Sequence, residues 1–335
     1  MSQKMMQVKN LHISFKTPDG LVPAVTGVSF DIDHGESVAL VGESGSGKSV
    51  TALSCLRLLP EPPALVKADM MKFNETDLLT LPTAHMRKIR GNEISMIFQE
   101  PMTSLNPLLT IGFQIAEVAS LHLGHNKAKA WAYALEMLKK VGIPDAAKRA
   151  KEYPHQMSGG MRQRVMIAIA LVCSPKLIIA DEPTTALDVT IQSQILKLID
   201  DLQKDSGMAL LLITHNLGIV AQKTKRVMVM YAGQIVESTT TETVFTKPAH
   251  PYTDGLLRSI PSAERKVGRL NVISGVVPSP MFFPKGCRFN PRCPNAKEKC
   301  VIDQPELIEI GRGHLVRCHY PLAEMSEKGG QVHDR

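Results

Sequence analysis

Gly42-Glu43-Ser44-Gly45-Ser46-Gly47-Lys48-Ser49 follows the apolar run Val38-Ala39-Leu40-Val41 and precedes a helix-favouring stretch over residues 51–59. A G-x-x-x-x-G-K-S loop between a buried strand and a helix is a phosphate cradle. Glycines let successive backbone N–H groups turn toward a polyphosphate, and the helix start adds its positive end. Lys48 then reaches the β/γ-phosphates, and the Ser49 hydroxyl ligates Mg²⁺. A Gly/Ser-rich turn could carry the same letters, but here strand, loop and helix occur in the order the cradle requires. The segment therefore reads as a site for ATP or GTP, with Gly42, Ser44, Gly45, Gly47, Lys48 and Ser49 as its contacts.

Further along, Leu177-Ile178-Ile179-Ala180-Asp181-Glu182 is a buried-strand pattern ending abruptly in two carboxylates. Such a strand runs beside the phosphate-loop strand in a parallel sheet. Asp181 is placed to hold Mg²⁺, directly or through water, and Glu182 to polarise a water toward the γ-phosphate. A second carboxylate is what separates a hydrolase from a nucleotide sensor. An ordinary strand ending in an acidic turn would look alike in isolation, though less so in a chain that also carries Lys48.

Between these motifs lies Met157-Ser158-Gly159-Gly160-Met161-Arg162-Gln163-Arg164. After them come Ala186-Leu187-Asp188 and His215, the latter just beyond the strand pattern of residues 209–213. The order of phosphate loop, Gln99, Ser-Gly-Gly signature, Asp-Glu strand end, Leu-Asp turn and His resembles the ATP-binding cassette of ABC transporters. The resemblance implies that Gln99 senses Mg²⁺ and the water, so that Ser49, Gln99 and Asp181 surround the metal, and that His215 contacts the γ-phosphate. Phe15 matches the aromatic that stacks on adenine in that family, but it also fits the core of an alternating strand with Val8, Leu11 and Ile13. Ser158, Gly159 and Gly160 belong at a helix start, offering N–H groups and a dipole to phosphate. In the family they do so across a dimer, each ATP lying between the Lys48 surface of one cassette and the Ser158 surface of the other. The family signature most often begins with Leu and has Gln in fifth place, where this chain has Met157 and Met161. The backbone donors are unaffected.

The chain has 335 residues, a hydrophobic content of 44% and a net charge of +7. Its length exceeds the size at which one core stops growing, so one large domain with a smaller appendage is expected. The basic residues are dispersed and no Lys/Arg run is interleaved with aromatics. They read as a solvated surface suited to nucleotides and an anionic membrane face, with no nucleic acid partner. The longest clean apolar run, residues 165–173, is too short to span a bilayer, and residues 1–7 lack the apolar core of a secretory signal. The expected location is the cytoplasmic face of the cell membrane, as a peripheral subunit whose channel is supplied by other chains.

Alternating strands over residues 7–15 and 25–32 suggest an antiparallel edge sheet. The turn-rich segment 101–107 leads to helices near 112–122 and 127–141, the latter containing Trp131. Residues 191–204 form an amphipathic helix with Ile191, Ile195, Leu198, Ile199 and Leu202 on one face. The expected fold class is thus α/β: a phosphate-loop nucleotide-binding domain over residues 1–246, with a parallel core sheet, an antiparallel edge sheet and a helical subdomain at about 101–160. A small Cys-rich region follows over residues 247–323, and residues 324–335 are expected to be a disordered tail.

Four of the six cysteines fall as Cys287-x5-Cys293-x6-Cys300-x17-Cys318. Disulfides are disfavoured in a cytosolic chain, so four clustered thiols argue for metal, although the spacing is not that of common zinc ribbons. This block, with His250-Pro251-Tyr252-Thr253 before it, resembles the tail of the ATPase subunits of dipeptide and oligopeptide importers. Some of those carry a four-iron, four-sulfur cluster on these cysteines. A 4Fe-4S cluster, a four-cysteine Zn²⁺ site and free thiols all remain open from the residues alone. Cys55 and Cys173 read as small core residues.

The resemblance covers essentially the whole chain. It implies an ATPase that energises peptide import, working with a homologous second ATPase subunit, two membrane permease subunits and, through the complex, an extracytoplasmic peptide-binding protein. A DNA-repair or chromosome-handling ATPase on the same cassette would insert long modules between phosphate loop and signature, whereas only 110 residues separate Lys48 from Ser158. A non-hydrolysing redox module is opposed by Glu182 and His215. The cargo, whether dipeptide, oligopeptide, antimicrobial peptide or nickel, is not written in this chain.

Overall fold

The computed structural model describes residues 4–185, 188–260 and 273–322. The Ala186-Leu187 part of the Leu-Asp turn and the tail at 324–335 lie outside the described residues. The chain divides into two compact units, one of residues 1–5, 32–36 and 73–213, the other of residues 6–31, 37–72 and 214–335.

In the first unit, Ile94–Ile97, Leu177–Asp181 and Ala209–Thr214 form a parallel ladder, with Ile97 opposite Ala180 and Asp181 opposite Ile213. Leu177–Asp181 and Ala209–Thr214 are buried along their whole length, which is why both read as continuous apolar runs instead of alternating ones. The helices Ile111–Leu123 and Lys127–Lys140 fall close to the expected ranges. The second is started by Asn126, whose side chain accepts the Lys129 N–H at 3.0 Å. The segment expected as a turn-rich entry contains a short helix, Pro101–Ser104. The amphipathic helix runs Val189–Ser206, capped by Asp188 and stopped at Gly207, whose φ of 67° is the left-handed conformation glycine adopts freely.

In the second unit, Lys4–Thr17 and Gly20–Asp33 make an antiparallel sheet for most of their length. Val8, Leu11 and Ile13 of the first strand are buried, and the alternation is broken at Asn10, which has a φ of 51°. The phosphate-loop strand Ser37–Val41 is fully buried and runs parallel to Arg226–Tyr231. That strand pairs antiparallel with Gln234–Thr240, which in turn pairs with His314–Val316, and Ile308–Gly311 closes the edge. Two strands of the Cys-rich region therefore extend the ladder that carries the phosphate loop. Ala39, Val41, Tyr231, Tyr252 and Phe289 share one core, with Cys287 and Cys293 packed against it.

The helix after the phosphate loop runs Lys48–Cys55, shorter at its far end than the sequence pattern. It starts as soon as Gly47 turns the chain and stops before Arg57, which has a φ of 50°. Cys55 is buried as expected. Cys173 is instead only partly buried, because its helix ends at Leu171. Among the described residues no helix is long and apolar enough to cross a membrane.

Candidate functional site

The phosphate loop depends on glycine at two places for reasons of space. A Cβ on Gly42 would stand 2.1 Å from the Met230 carbonyl oxygen, and one on Gly47 would stand 3.0 Å from the Ala24 carbonyl oxygen. Both residues also have positive φ, as does Gly45. Ser44 and Gly45 are exposed at the tip, and Ser49 is half-buried in the first turn of the helix. Lys48 is buried, and its Nζ donates to the carbonyls of Gly42 and Glu43, both at 2.9 Å. Burying an ammonium is tolerable only with such acceptors. The loop is held from below, where the Gly233 N–H donates to the Ser46 carbonyl at 2.9 Å. His215 leaves the end of its strand exposed and lines one cavity with Val41, Gly42 and Glu43. Phe15 stands half-buried opposite Ala64, at the less buried end of its strand.

In the other unit, Asp181 ends its strand buried, and Glu182 turns out of the strand line with a φ of 46°. The Glu182 N–H donates to the Ile213 carbonyl at 2.8 Å, which pins the turn. Its carboxylate accepts from Gln99 Nε2 at 3.3 Å and from the Thr185 hydroxyl at 2.8 Å. Gln99 and Glu182, 83 residues apart, are thus brought together. Thr185 was not singled out by sequence, although a hydroxyl three residues after a carboxylate is the signal that could have found it. Ser158 caps the helix Gly159–Leu171, its Oγ accepting the Met161 N–H at 3.3 Å. Gly159 and Gly160 open that helix, and a Cβ on Gly160 would meet Ile191 Cγ2 at 2.8 Å.

Cys287, Cys293, Cys300 and Cys318 line a single small cavity in the second unit, with His250 and Phe289 among its walls. All are free thiols. Burial pushes the Cys287 thiol up to about 11 and the Cys318 thiol up to about 12, with the neighbouring sulfurs adding to both. Gly286 is what lets the two cysteine segments meet, since a Cβ there would stand 2.3 Å from the Cys300 carbonyl oxygen. The Cys287 N–H donates to that same carbonyl at 2.8 Å. Among the described residues no group of three or more His, Cys, Asp or Glu side chains converges closely enough to hold a metal ion.

A buried carboxylate that sequence reasoning missed organises this region. Glu237 accepts the N–H groups of Ala249 and His250 at 2.8 and 2.9 Å and pairs with His314 Nε2 at 2.8 Å. Burial works to raise its pKa. These bonds outweigh burial and leave the carboxyl below its ordinary value. His250 in turn accepts the Tyr252 N–H on Nδ1 at 3.0 Å, and burial holds its pKa down to about 4, so the ring is neutral with its proton on Nε2.

The family model for ABC transporters matches residues 25–185, and that for the oligopeptide/dipeptide transporter C-terminal region matches residues 236–300. The chain is 53% identical over 324 residues to the oligopeptide transport ATP-binding protein AppD of Bacillus subtilis, covering 97% of this chain and 99% of the relative. It is 50% identical over 320 residues to the dipeptide transport ATP-binding protein DppD of Haemophilus influenzae, covering 96% of each. With DppD of Escherichia coli the identity is 48% over 318 residues, covering 95% of this chain and 97% of the relative. Among solved structures, a dimeric post-hydrolysis state of the ATP-binding cassette MJ0796 bound to ADP and Pi matches with a TM-score of 0.63 at 27% identity, over 71% of this chain and 99% of that one. Cassette and C-terminal region are matched alike along nearly the full length, and the chain belongs to the family of oligopeptide and dipeptide ABC transporter ATP-binding proteins.

Proposed function

We propose that this chain hydrolyses ATP to energise the import of dipeptides or oligopeptides through a membrane ABC transporter. The observation that carries the hydrolytic step is the Glu182 carboxylate, turned out of its strand and oriented by Gln99 and Thr185. A carboxylate so held accepts the proton of a water while directing its lone pair at phosphorus. The loop from Gly42 to Ser49 binds the phosphates, with Lys48 supplying charge and His215 reaching the γ-phosphate. Ser49, Gln99 and Asp181 would hold Mg²⁺, which neutralises the charge developing on the phosphate oxygens. Phe15 is assigned to adenine, in keeping with its partial exposure.

Ser158, Gly159 and Gly160 serve the nucleotide of a second, homologous cassette, so that ATP closes the pair and hydrolysis opens it. Residues 1–246 form the cassette and 247–323 its tail. The helical region at about 101–160 meets two permease subunits at the cytoplasmic face of the membrane. An apolar groove there, lined by Phe113, Ala116, Leu121 and Trp131, supports this contact, because exposed large apolar side chains gathered in a groove mark interaction sites. The complex receives peptide from an extracytoplasmic binding protein. Reconstituted with these partners, the transporter should hydrolyse ATP faster when peptide-loaded binding protein is added. Turnover indifferent to every peptide, or absent altogether, would overturn the reading.

For the tail we propose a 4Fe-4S cluster on Cys287, Cys293, Cys300 and Cys318. Support comes from the donor set: four thiols line one cavity, and a cluster takes one thiolate per iron. When bound, it would staple a segment poor in apolar residues of its own. Protein purified without oxygen should be brown and contain iron and sulfide. Colourless protein with one zinc per chain would replace the cluster by zinc, and protein with neither would defeat both.

A further inference from the structure

Glu43 is the only acidic residue of the phosphate loop, and an unbalanced carboxylate among N–H donors gathered for phosphate would repel the ligand. Every polar group of Glu43 is held. Its N–H donates to the Tyr252 hydroxyl at 2.9 Å, and its carbonyl accepts from Lys48 Nζ at 2.9 Å. The carboxylate is gripped by the Arg292 fork, Nη1 to Oε2 at 2.6 Å and Nη2 to Oε1 at 3.0 Å.

Arg292 is built for this one position. Its side chain is 4% exposed. Besides Glu43, Nε donates to the Ser274 carbonyl at 2.9 Å, Nη1 to the Tyr231 hydroxyl at 3.4 Å and Nη2 to the Ile273 carbonyl at 3.3 Å. All five donors of the guanidinium are thereby used, an arrangement that the point charge of a lysine cannot reproduce. Arg292 also immediately precedes Cys293. At the other end of the same segment, Arg288 follows Cys287 and donates to the Ala232 carbonyl, next to Gly233, whose N–H holds Ser46 of the loop. The stretch between the two thiols thus meets the phosphate loop directly through Arg292 and indirectly, by way of Ala232 and Gly233, through Arg288.

We propose that Arg292 is a positioning residue of the nucleotide site: it neutralises Glu43 and turns its carboxylate aside, so that nucleotide affinity depends on the segment Cys287 to Cys293 holding its place. The inference rests on the phosphate-loop reading and deepens it.

The test is equilibrium binding of MgATP to the full-length chain by calorimetry, for wild type, Arg292→Gln, Arg292→Lys and Glu43→Gln/Arg292→Gln. Arg292→Gln, which leaves one uncompensated charge at the loop, should bind about tenfold more weakly. Arg292→Lys should recover part of that loss. The double variant should return to within about threefold of wild type, because the repelling group is gone. In the assembled transporter the Arg292→Gln loss should appear as a raised KM for MgATP more than as a lowered kcat. Wild-type affinity in Arg292→Gln, or a double variant as weak as the single one, overturns the proposal. Should thermal melting show Arg292→Gln unfolded, Tyr252→Phe is read instead. It keeps the ring but removes the acceptor of the Glu43 N–H, and should weaken MgATP by about threefold, with unchanged affinity counting against the proposal. A wild-type chain that binds no MgATP would overturn the phosphate-loop reading itself.

Discussion

Glu182 occupies a left-handed backbone conformation, φ 46°, that costs a non-glycine residue on the order of 1 kcal/mol or more and persists only where surrounding bonds enforce it. Here the Ile213 carbonyl, Gln99 and Thr185 do so, and the result is a carboxylate aimed away from its own strand. Orientation of this kind matters in the transition state far more than in nucleotide binding. Glu182→Gln should therefore retain MgATP yet lose turnover by on the order of 10²–10⁴-fold, whereas Lys48→Ala should weaken binding itself. Kd and kcat measured side by side in the assembled transporter separate the two, and near-normal hydrolysis by Glu182→Gln would remove it from the chemistry. Thr185→Val keeps the shape of the side chain and loses only the hydroxyl bond. It should lower kcat by roughly tenfold with little change in KM, and an equal rise in KM would mean that Thr185 instead helps to hold nucleotide.

At the scale of elements, a single buried carboxylate ties a strand of the cassette to two pieces of the tail. Glu237 lies on Gln234–Thr240, takes the N–H groups that lead into the helix Pro251–Arg258, and holds His314 on the adjoining strand. Glu237→Gln is nearly isosteric but replaces charge-assisted bonds with weaker ones and puts an amide donor where donors already converge. It should destabilise the chain by about 2 kcal/mol, read as a lowered Tm. The folded pKa is depressed, so the ionised carboxyl stabilises fully above the ordinary carboxylate range, and its contribution is lost as pH falls through that range and below. The variant should consequently lose stability less steeply than wild type between neutral and acidic pH. Parallel pH slopes for the two proteins would show that Glu237 does not carry the acid sensitivity.

Taking the whole molecule, the parts legible in the sequence were those whose signal is local. Leu177–Asp181 could be read because a strand buried on both faces is a continuous apolar run, and the loop Gly42 to Ser49 because its glycines serve backbone geometry within eight residues. The bond between Arg292 and Glu43 spans 249 positions, the fit of Gly286 against Cys300 depends on how two segments cross, and Glu237 looks like any polar strand residue. Such features arise from tertiary packing and leave no periodic trace. The Ser158 helix start is an intermediate case: its capping letters are local, but the phosphate it is proposed to serve belongs to a second cassette. Donors committed to another chain's nucleotide make hydrolysis a property of the pair. The isolated chain should then hydrolyse ATP slowly, with a rate per chain that rises with protein concentration, and mixing in the proposed homologous partner subunit should raise turnover further. Ser158→Ala in one subunit should lower hydrolysis at the site whose phosphate loop lies in the other, which silencing the first subunit's own site with Glu182→Gln would expose. A dilute, isolated chain as fast as the full complex would rule out the shared site.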